Sequence, residues 1–211
     1  MTESRNRTVG IVIYEQVEVL DFTGPFEDFS VTRTDPEADR QSPLPYSVRL
    51  IAQSMQTVTA TGGMRVLPDF SFSDCPALDI LVVPGGQGSR SQMGNPELLR
   101  FITDRVSEVG TVASVCTGSL LLAKSGLLDG RRATTHWRVL DLMQEMFPRV
   151  RVDRSRHVVA DGDVVTSAGI SAGIDMSLYL VAKQYGERIA RATARQMEYP
   201  YPESDRRRID L

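Results

Sequence analysis

The sequence predicts an α/β fold in which helices cover both faces of a mostly parallel β-sheet. Strand-like and helix-like segments alternate along the 211 residues, which is the pattern of this class. Several strand-like segments are apolar throughout, as expected for strands that are buried on both faces. We find no linker, internal repeat or low-complexity segment, so we expect one domain spanning residues 1–211, with residues 1–7 flexible.

The first half of the chain opens with a buried strand. The β-branched run at 8–14 predicts this strand, and the pair Gly24 and Pro25 predicts the start of a helix, because proline suits a first helical turn. The remaining predictions for this half are a polar, proline-containing loop, a strand at 46–53, and a hairpin at 57–72 that turns at Gly62 and Gly63.

The second half begins with the clearest buried strand, at 78–86, which ends in Pro-Gly-Gly. The segment 95–110 has helical apolar spacing, with Pro96 near its start and Gly110 past its end. The remaining predictions are a strand at 111–116, a helix at 117–128, a helix at 136–148 that stops at Pro148, strands at 149–153 and 157–167 with a turn at Asp161 and Gly162, and a helical pattern at 172–199 broken at Gly186.

Composition excludes several classes of function. A hydrophobic content of 41% and a net charge of −3 are typical of a globular protein without a basic field for nucleic acid. No apolar run approaches the length of a membrane span, and no signal-length segment opens the chain. Two cysteines are too few for a disulfide scaffold, so we expect a cytoplasmic location with reduced thiols. We expect the basic segment 204–211 to be a solvated tail.

Three features follow predicted strands at what should be one edge of the sheet. They are Asp21, the pair Gly85 and Gly86, and Cys116. In open parallel sheets the functional site lies beyond the carboxyl ends of the strands. We therefore expect these residues to lie close together.

Cys116 lies where a strand ends and a helix begins. Unpaired N–H groups and the helix dipole favour the nucleophilic thiolate at that position. Gly118, two residues later, matches the logic of a nucleophile elbow. A buried structural cysteine fits the position alone equally well. Cys75 lies in a loop with no base beside it, and we predict no function for it.

Asp21 is the predicted proton carrier, because a carboxyl in a partly desolvated cleft has a raised pKa. A helix cap or an Asx turn is the structural alternative, and Glu15 and Glu18 are nearby candidates for the same role. Gly85 and Gly86 are predicted to present N–H groups to negative charge developing on a substrate, or simply to form a turn. The sequence around them lacks the Lys-Ser/Thr ending of a phosphate-binding loop.

The chain has two histidines. His136 precedes a predicted helix, so it either pairs with Cys116 or bonds the helix start, and we favour the second interpretation. His157 lies in an alternating segment and is predicted to be exposed. No His/Cys spacing suggests a metal site, and we expect neither a metal nor a cofactor.

Three strings carry a resemblance that extends from about residue 8 to residue 200: "LDILVVPGG", "SVCTGSLLLAKSGLLDGRRATTHW" and "VTSAGISAGIDMSLYL". Together they resemble the DJ-1/PfpI superfamily. This resemblance implies a flavodoxin-like three-layer sandwich with a nucleophilic cysteine at a strained elbow. It also implies an acidic residue, from the segment after the first strand, in contact with the thiol, and a homodimer.

Within this superfamily, the combination of Asp21, Cys116 and Thr117 resembles the isocyanide hydratase branch, which adds water to an isocyanide and gives an N-substituted formamide. The matched motifs imply that Cys116 attacks the isocyanide carbon and that Asp21 acts as general acid and then activates water. Thr117 would position Asp21 or the substrate. The backbone of Ile170 would approach the nucleophile, and Gly86 would supply a nearby N–H. The implied partner is a small electrophile.

Two other functions share these residues. AraC-type transcription regulators carry similar strings ahead of a helix-turn-helix pair, which would make the domain a ligand sensor. This chain is too short for the DNA-binding part, which favours an enzyme. The third possibility is a redox or carbonyl-stress protein with glyoxalase-like activity, in which Cys116 is oxidised reversibly. The protease-like and glyoxalase-like branches usually have His or Ala after the cysteine and Glu as the acid, where this chain has Thr117 and Asp21.

Overall fold

The computed structural model describes residues 6–35, 37 and 44–209. Its strands are β1 Arg7–Val12, β2 Tyr46–Ala52, β3 Val58–Thr59, β4 Arg65–Val66, β5 Phe70–Ser71, β6 Ile80–Val83, β7 Thr111–Ser114, β8 Arg132–Ala133, β9 Arg151–Val152, β10 Val158–Asp161 and β11 Val164–Ser167. Its α-helices are α1 Val19–Val31, α2 Ser89–Gln92, α3 Pro96–Val106, α4 Gly118–Lys124, α5 Leu140–Met146, α6 Ala172–Tyr185 and α7 Glu187–Gln196. Single 3₁₀ turns lie at Thr61–Gly63 and Trp137–Val139.

The described residues form a seven-stranded central sheet in the order β10-β11-β7-β6-β1-β2-β5. All neighbours pair in parallel except β10 and β11, which form an antiparallel hairpin. The predicted mostly parallel sheet is therefore confirmed. The predicted hairpin is also present, as the antiparallel pair of β3 and β4.

The middle of the sheet is buried on both faces. Every residue of β6, β7 and β11 is buried, which explains why these segments are apolar without alternation. Helices α1, α6 and α7 contact one another in one layer, and α2, α3 and α4 are associated in another. No helix in the described part of the chain is long and apolar enough to cross a membrane.

Strand order places the predicted site residues at one edge of the sheet. The strands β11, β7, β6 and β1 are neighbours and parallel, so their carboxyl ends lie side by side. The segments that follow them carry Ile170, Cys116, Gly85 and Asp21, respectively. Sequence positions far apart therefore converge at this edge, as expected for an open parallel sheet.

The first helix begins earlier than predicted. Helix α1 starts at Val19, with Glu18 at its N-cap, and Pro25 lies inside it. Proline in a helix interior removes a donor, yet Phe22, Pro25 and Phe29 are all buried, and this packing offsets the loss. The earlier start places Asp21 in the first helical turn. Residues 1–5 of the segment predicted to be flexible lie outside the described residues, and Arg7 opens β1.

The prediction that His157 is exposed is wrong. Its exposed fraction is only 9%, and its Nε2 lies 2.8 Å from Oδ2 of the buried Asp175. The segment 204–209 is largely exposed to solvent, as predicted, but it is anchored to the fold. Arg208 Nη2 donates to Asp175 Oδ1 at 2.9 Å, and Arg207 Nη2 donates to the carbonyl oxygen of Thr135 at 3.2 Å. A buried carboxylate needs such partners.

Candidate active site

Cys116 forms the elbow predicted from the sequence. Its φ of 57° lies in the left-handed region, which is strained for a residue with a side chain. The surrounding backbone holds this geometry: the Cys116 N–H donates to the carbonyl of Ala168 at 2.9 Å. The carbonyl of Cys116 accepts from Ser119 Oγ and from Thr135 Oγ1, each at 3.0 Å.

Gly118 allows the elbow to pack against the end of β6. A Cβ atom at this position would lie 2.0 Å from the carbonyl oxygen of Val83, where no side chain fits. The neighbouring atom is backbone and cannot rotate away. The glycine two residues after the cysteine is therefore required because the start of α4 lies directly against the end of β6.

We expect Gly118→Ala to lower the free energy of unfolding by about 2–3 kcal/mol or more, because the new methyl group overlaps this carbonyl. The measurement is urea denaturation followed by circular dichroism. Gly110→Ala is the matched control, because its Cβ would meet only the carbonyl of Asp79 at 3.7 Å. Equal effects at the two glycines would contradict this account of the elbow.

Asp21 lies at the base of the elbow and is fully buried. Its Oδ2 accepts the N–H of Gly85 at 2.9 Å, whereas Oδ1 makes no hydrogen bond of normal geometry to any described residue. The pKa of Asp21 is raised to about 7, mainly because the carboxyl group is buried. The hydrogen bond from the N–H of Gly85 lowers this pKa, and the nearby charge of Glu18 raises it. The Cys116 thiol and the Ile170 N–H also oppose the rise. Asp21 therefore exchanges its proton near neutral pH.

The position of Cys116 at a helix start predicts a lowered thiol pKa, and the structure shows the opposite direction. Burial, followed by the charge of Asp21, raises its pKa above the ordinary value. Hydrogen bonds from the N–H and hydroxyl of Thr117 and from the N–H of Ile170 act in the opposite direction. The effect of the helix start is present but is outweighed by desolvation. The resting sulfur is a protonated thiol beside a carboxyl group that can accept its proton.

Gly85 and Gly86 use their N–H groups inside the protein. The N–H of Gly85 holds Asp21, and that of Gly86 donates to Thr117 Oγ1 at 3.0 Å. Ser89 Oγ, which the sequence did not single out, donates to the same hydroxyl at 2.9 Å. In this structure the two glycines position Asp21 and Thr117 rather than facing a substrate, which revises the role expected for them.

The donors that surround the sulfur come from Thr117 and Ile170. Ile170 has a φ of 55°, a second left-handed residue beside the elbow, and this turns its N–H towards Cys116 and Asp21. The side chain of Ile170 is 38% exposed and lines the opening. The backbone of Ile170 therefore lies close to the thiol of Cys116.

A cleft of about 450 Å³ opens onto Cys116, which is the size of a small-molecule site. Its wall includes four charged or titratable side chains that the sequence did not assign together: Glu18, Arg90, His136 and Arg138. Arg90 and Arg138 come from separate segments, so sequence spacing gave no signal for them. No described residues form a group of three or more His, Cys, Asp and Glu side chains suited to a metal ion.

His136 bonds the start of a helical turn, as favoured from the sequence. Its Nδ1 accepts the N–H of Arg138 at 3.3 Å, and its ring packs on Gly169, where a Cβ would lie 2.1 Å from Cδ2. Burial lowers the pKa of His136, and the charges of Arg138 and Arg207 lower it further. The imidazole is therefore neutral at pH 7 and forms part of the wall of the cleft.

The fold and the site together define a flavodoxin-like α/β protein with a cysteine at a nucleophile elbow. The model of the DJ-1/PfpI family matches residues 7–183. The chain belongs to the DJ-1/PfpI family.

The chain is similar to a hydratase, to a transcription regulator and to a solved structure of this family. It is 38% identical over 198 residues to an isonitrile hydratase of Pseudomonas putida, covering 93% of this chain and 81% of the relative. It is 34% identical to the HTH-type transcriptional regulator GbdR of Pseudomonas aeruginosa, covering 73% of this chain and 42% of the regulator. A ThiJ/PfpI family crystal structure from Pseudomonas syringae is 30% identical, with a TM-score of 0.81, covering 95% of this chain and 78% of that one.

Proposed function

We propose that the protein is a cofactor-free hydratase that converts an isocyanide to an N-substituted formamide, with Cys116 as nucleophile and Asp21 as general acid and base. The observation that carries the proposal is the pairing at the elbow: a strained cysteine lies against a buried carboxyl group whose pKa is about 7. The similarity to an isonitrile hydratase, at 38% identity, supports the same reaction.

The reaction needs one nucleophile and one proton carrier. Asp21 accepts the thiol proton as the sulfur of Cys116 bonds to the terminal isocyanide carbon, and then delivers that proton to the same carbon. The product is a thioimidate, R–N=CH–S–Cys. The N–H groups of Thr117 and Ile170 stabilise negative charge on the sulfur as it forms.

Water completes the cycle. The carboxylate of Asp21 removes a proton from a water molecule that attacks the thioimidate carbon, and the proton passes to nitrogen. Collapse of the adduct expels the sulfur of Cys116, which regains a proton, and releases R–NH–CHO. The sum is isocyanide plus water giving formamide, so no cofactor is required. The direct test is to incubate the pure protein with a simple isocyanide and to follow formamide formation.

The pH profile should show an acidic limb at about 7. The active state is the singly protonated pair, in which Asp21 is ready to accept the thiol proton. At pH values below the Asp21 pKa of about 7, the pair carries two protons and kcat/KM falls about tenfold per pH unit. At higher pH the value reaches a plateau until the thiol itself ionises. Initial rates, corrected for enzyme-free hydrolysis, measure this profile. A kcat/KM that decreases as the pH rises through 7 would contradict the assigned active state.

A second candidate function is ligand sensing. The supporting observation is the similarity to the regulator GbdR, although the chain spans less than half of that protein's length. A sensing domain would bind an electrophile at Cys116 without releasing product. Tight binding in the absence of formamide formation would favour this candidate over the hydratase.

Reversible oxidation of Cys116 is less well supported. Peroxide reacts with thiolate rather than thiol, and burial together with Asp21 raises the pKa of this thiol. A cytoplasmic location and a homodimer remain proposals, the first from composition and the second from the family resemblance.

A further inference from the structure

Two arginines line the cleft that opens onto Cys116, and neither has a role in the hydration chemistry. They are Arg90, in the short helix α2, and Arg138, in the 3₁₀ turn after His136. Within the described residues, neither guanidinium has an ion-pair partner or a hydrogen-bond acceptor. Other described arginines, such as Arg131 and Arg154, are paired with carboxylates. The guanidinium groups of Arg90 and Arg138 line the cleft and are available to a ligand that enters it.

Arg138 is held in place without being neutralised. Its guanidinium lies 4.9 Å from the centre of the Trp137 ring, and its backbone N–H is bonded to His136. Stacking on an aromatic face restricts the side chain but leaves its planar N–H groups free to bind oxygen atoms. Arg138 is therefore a positively charged side chain of restricted mobility in the wall of the cleft.

The charge of the cleft differs in sign from that of the whole protein. The lining of the cleft contains two arginines and one carboxylate, that of Glu18, whereas the whole chain carries a net charge of −3. His136 contributes no charge at neutral pH, and its lowered pKa reflects the positive field of Arg138 and Arg207 after burial. The excess of positive charge therefore belongs to the side chains that line the opening, whereas the carboxyl group of Asp21 is buried beneath them and is not part of the lining.

We propose that this cleft selects electrophiles bearing a carboxylate, which Arg90 and Arg138 bind while the reactive carbon reaches Cys116. The inference deepens the proposed function, on which it rests for the identity of the reactive group. A simple alkyl isocyanide offers nothing to either arginine, whereas an isocyano acid places its charged end on the guanidinium groups. Arg90 and Arg138 are then specificity-determining residues.

The test compares isocyanoacetate with isocyanoacetamide, which differ mainly in charge. We expect kcat/KM for the acid to exceed that for the amide by about tenfold, since an ion pair in a partly exposed cleft contributes at this level. Arg90→Gln and Arg138→Gln should each lower this ratio by about threefold or more. Arg188→Gln is the matched control, because Arg188 lies on α7 and does not line the cleft. It should leave the ratio unchanged.

Two further measurements are sensitive to charge alone. Raising the salt concentration to about 0.5 M should reduce the preference for the acid, because mobile ions screen partly exposed charges. Glu18→Gln removes the single carboxylate of the lining and should raise the preference. Arg138→Lys should keep part of the preference, since it retains the charge but loses the planar fork.

Binding separates this inference from the proposed function. Trp137 is the single tryptophan of the chain and lies against Arg138, so its fluorescence reports occupation of the cleft. If neither compound is hydrated, the proposed function fails, and tighter binding of the acid than of the amide would still support the inference. If both are hydrated with equal kcat/KM, the inference fails and the hydratase remains. A ratio that falls equally in Arg188→Gln also overturns the inference.

Discussion

Cys116→Ala is expected to abolish formamide formation, with a loss of about 10³-fold or more in kcat. In the proposed mechanism the sulfur is the only protein atom that bonds to the substrate carbon, and alanine offers no nucleophile in its place. Alanine retains the left-handed backbone of the elbow and the hydrogen bond from its N–H to Ala168, so the fold should persist. The measurement is product formation from a simple isocyanide, with circular dichroism as the check on folding.

The second cysteine supplies a matched control. Cys75 is also a free, buried thiol, but its Sγ contacts the carbonyl of Pro76 and lies outside the cleft. The variant Cys75→Ala should therefore convert isocyanide to formamide at the rate of the original protein. Retained turnover in Cys116→Ala, or its loss in Cys75→Ala, would remove Cys116 from the role of nucleophile.

Asp21→Asn is expected to lower kcat/KM by about 10²–10⁴-fold, which is the usual contribution of a positioned acid–base group. Asparagine has the same size, and its carbonyl oxygen can still accept the N–H of Gly85. It cannot accept the thiol proton or deliver it to carbon. The acidic limb of the pH profile should disappear with the carboxyl group, and a merely structural residue would not produce that change.

Asp21→Asn, which is expected to lower activity, is expected to raise the free energy of unfolding at alkaline pH. The pKa of Asp21 rises from 3.8 to about 7 in the folded protein, so between these values the unfolded chain ionises first. The original protein therefore loses stability as the pH rises through this window, by up to about 4 kcal/mol. Asp21→Asn lacks this loss and should gain stability relative to the original at pH 8 but not at pH 4. Urea denaturation at the two pH values gives the comparison, and equal differences would contradict the raised pKa.

The parts of the fold that could be predicted depend on local patterns. Apolar runs without alternation predicted the central strands, because burial on both faces is visible in neighbouring residues. The sequence around Cys116 predicted where the elbow lies, but the contacts that hold its geometry come from distant residues such as Ala168 and Val83. The start of α1 was not predictable from Pro25 alone, since the cost of proline is offset by burial that neighbouring residues do not reveal. The docking of His157 on Asp175 likewise depends on a distant contact.

The electrostatics of the site required the three-dimensional structure. The helix start predicted a lowered thiol pKa at Cys116, but burial and Asp21 reverse the direction. The roles of Gly85 and Gly86 changed for a similar reason, because their N–H groups meet acceptors brought in from other strand ends. Sequence patterns identify which residues converge, whereas packing decides their protonation and their partners.

The docked C-terminal segment bears on the order in which the site is completed. Thr135 supports the carbonyl of Cys116, and Arg207 donates a hydrogen bond to the backbone of Thr135 from a distant part of the sequence. A chain is synthesised from its N-terminus, so the residues of the elbow and the strands beneath it emerge before Arg207 does. The contact between Arg207 and Thr135 can therefore form only after the residues of the elbow are already available to fold.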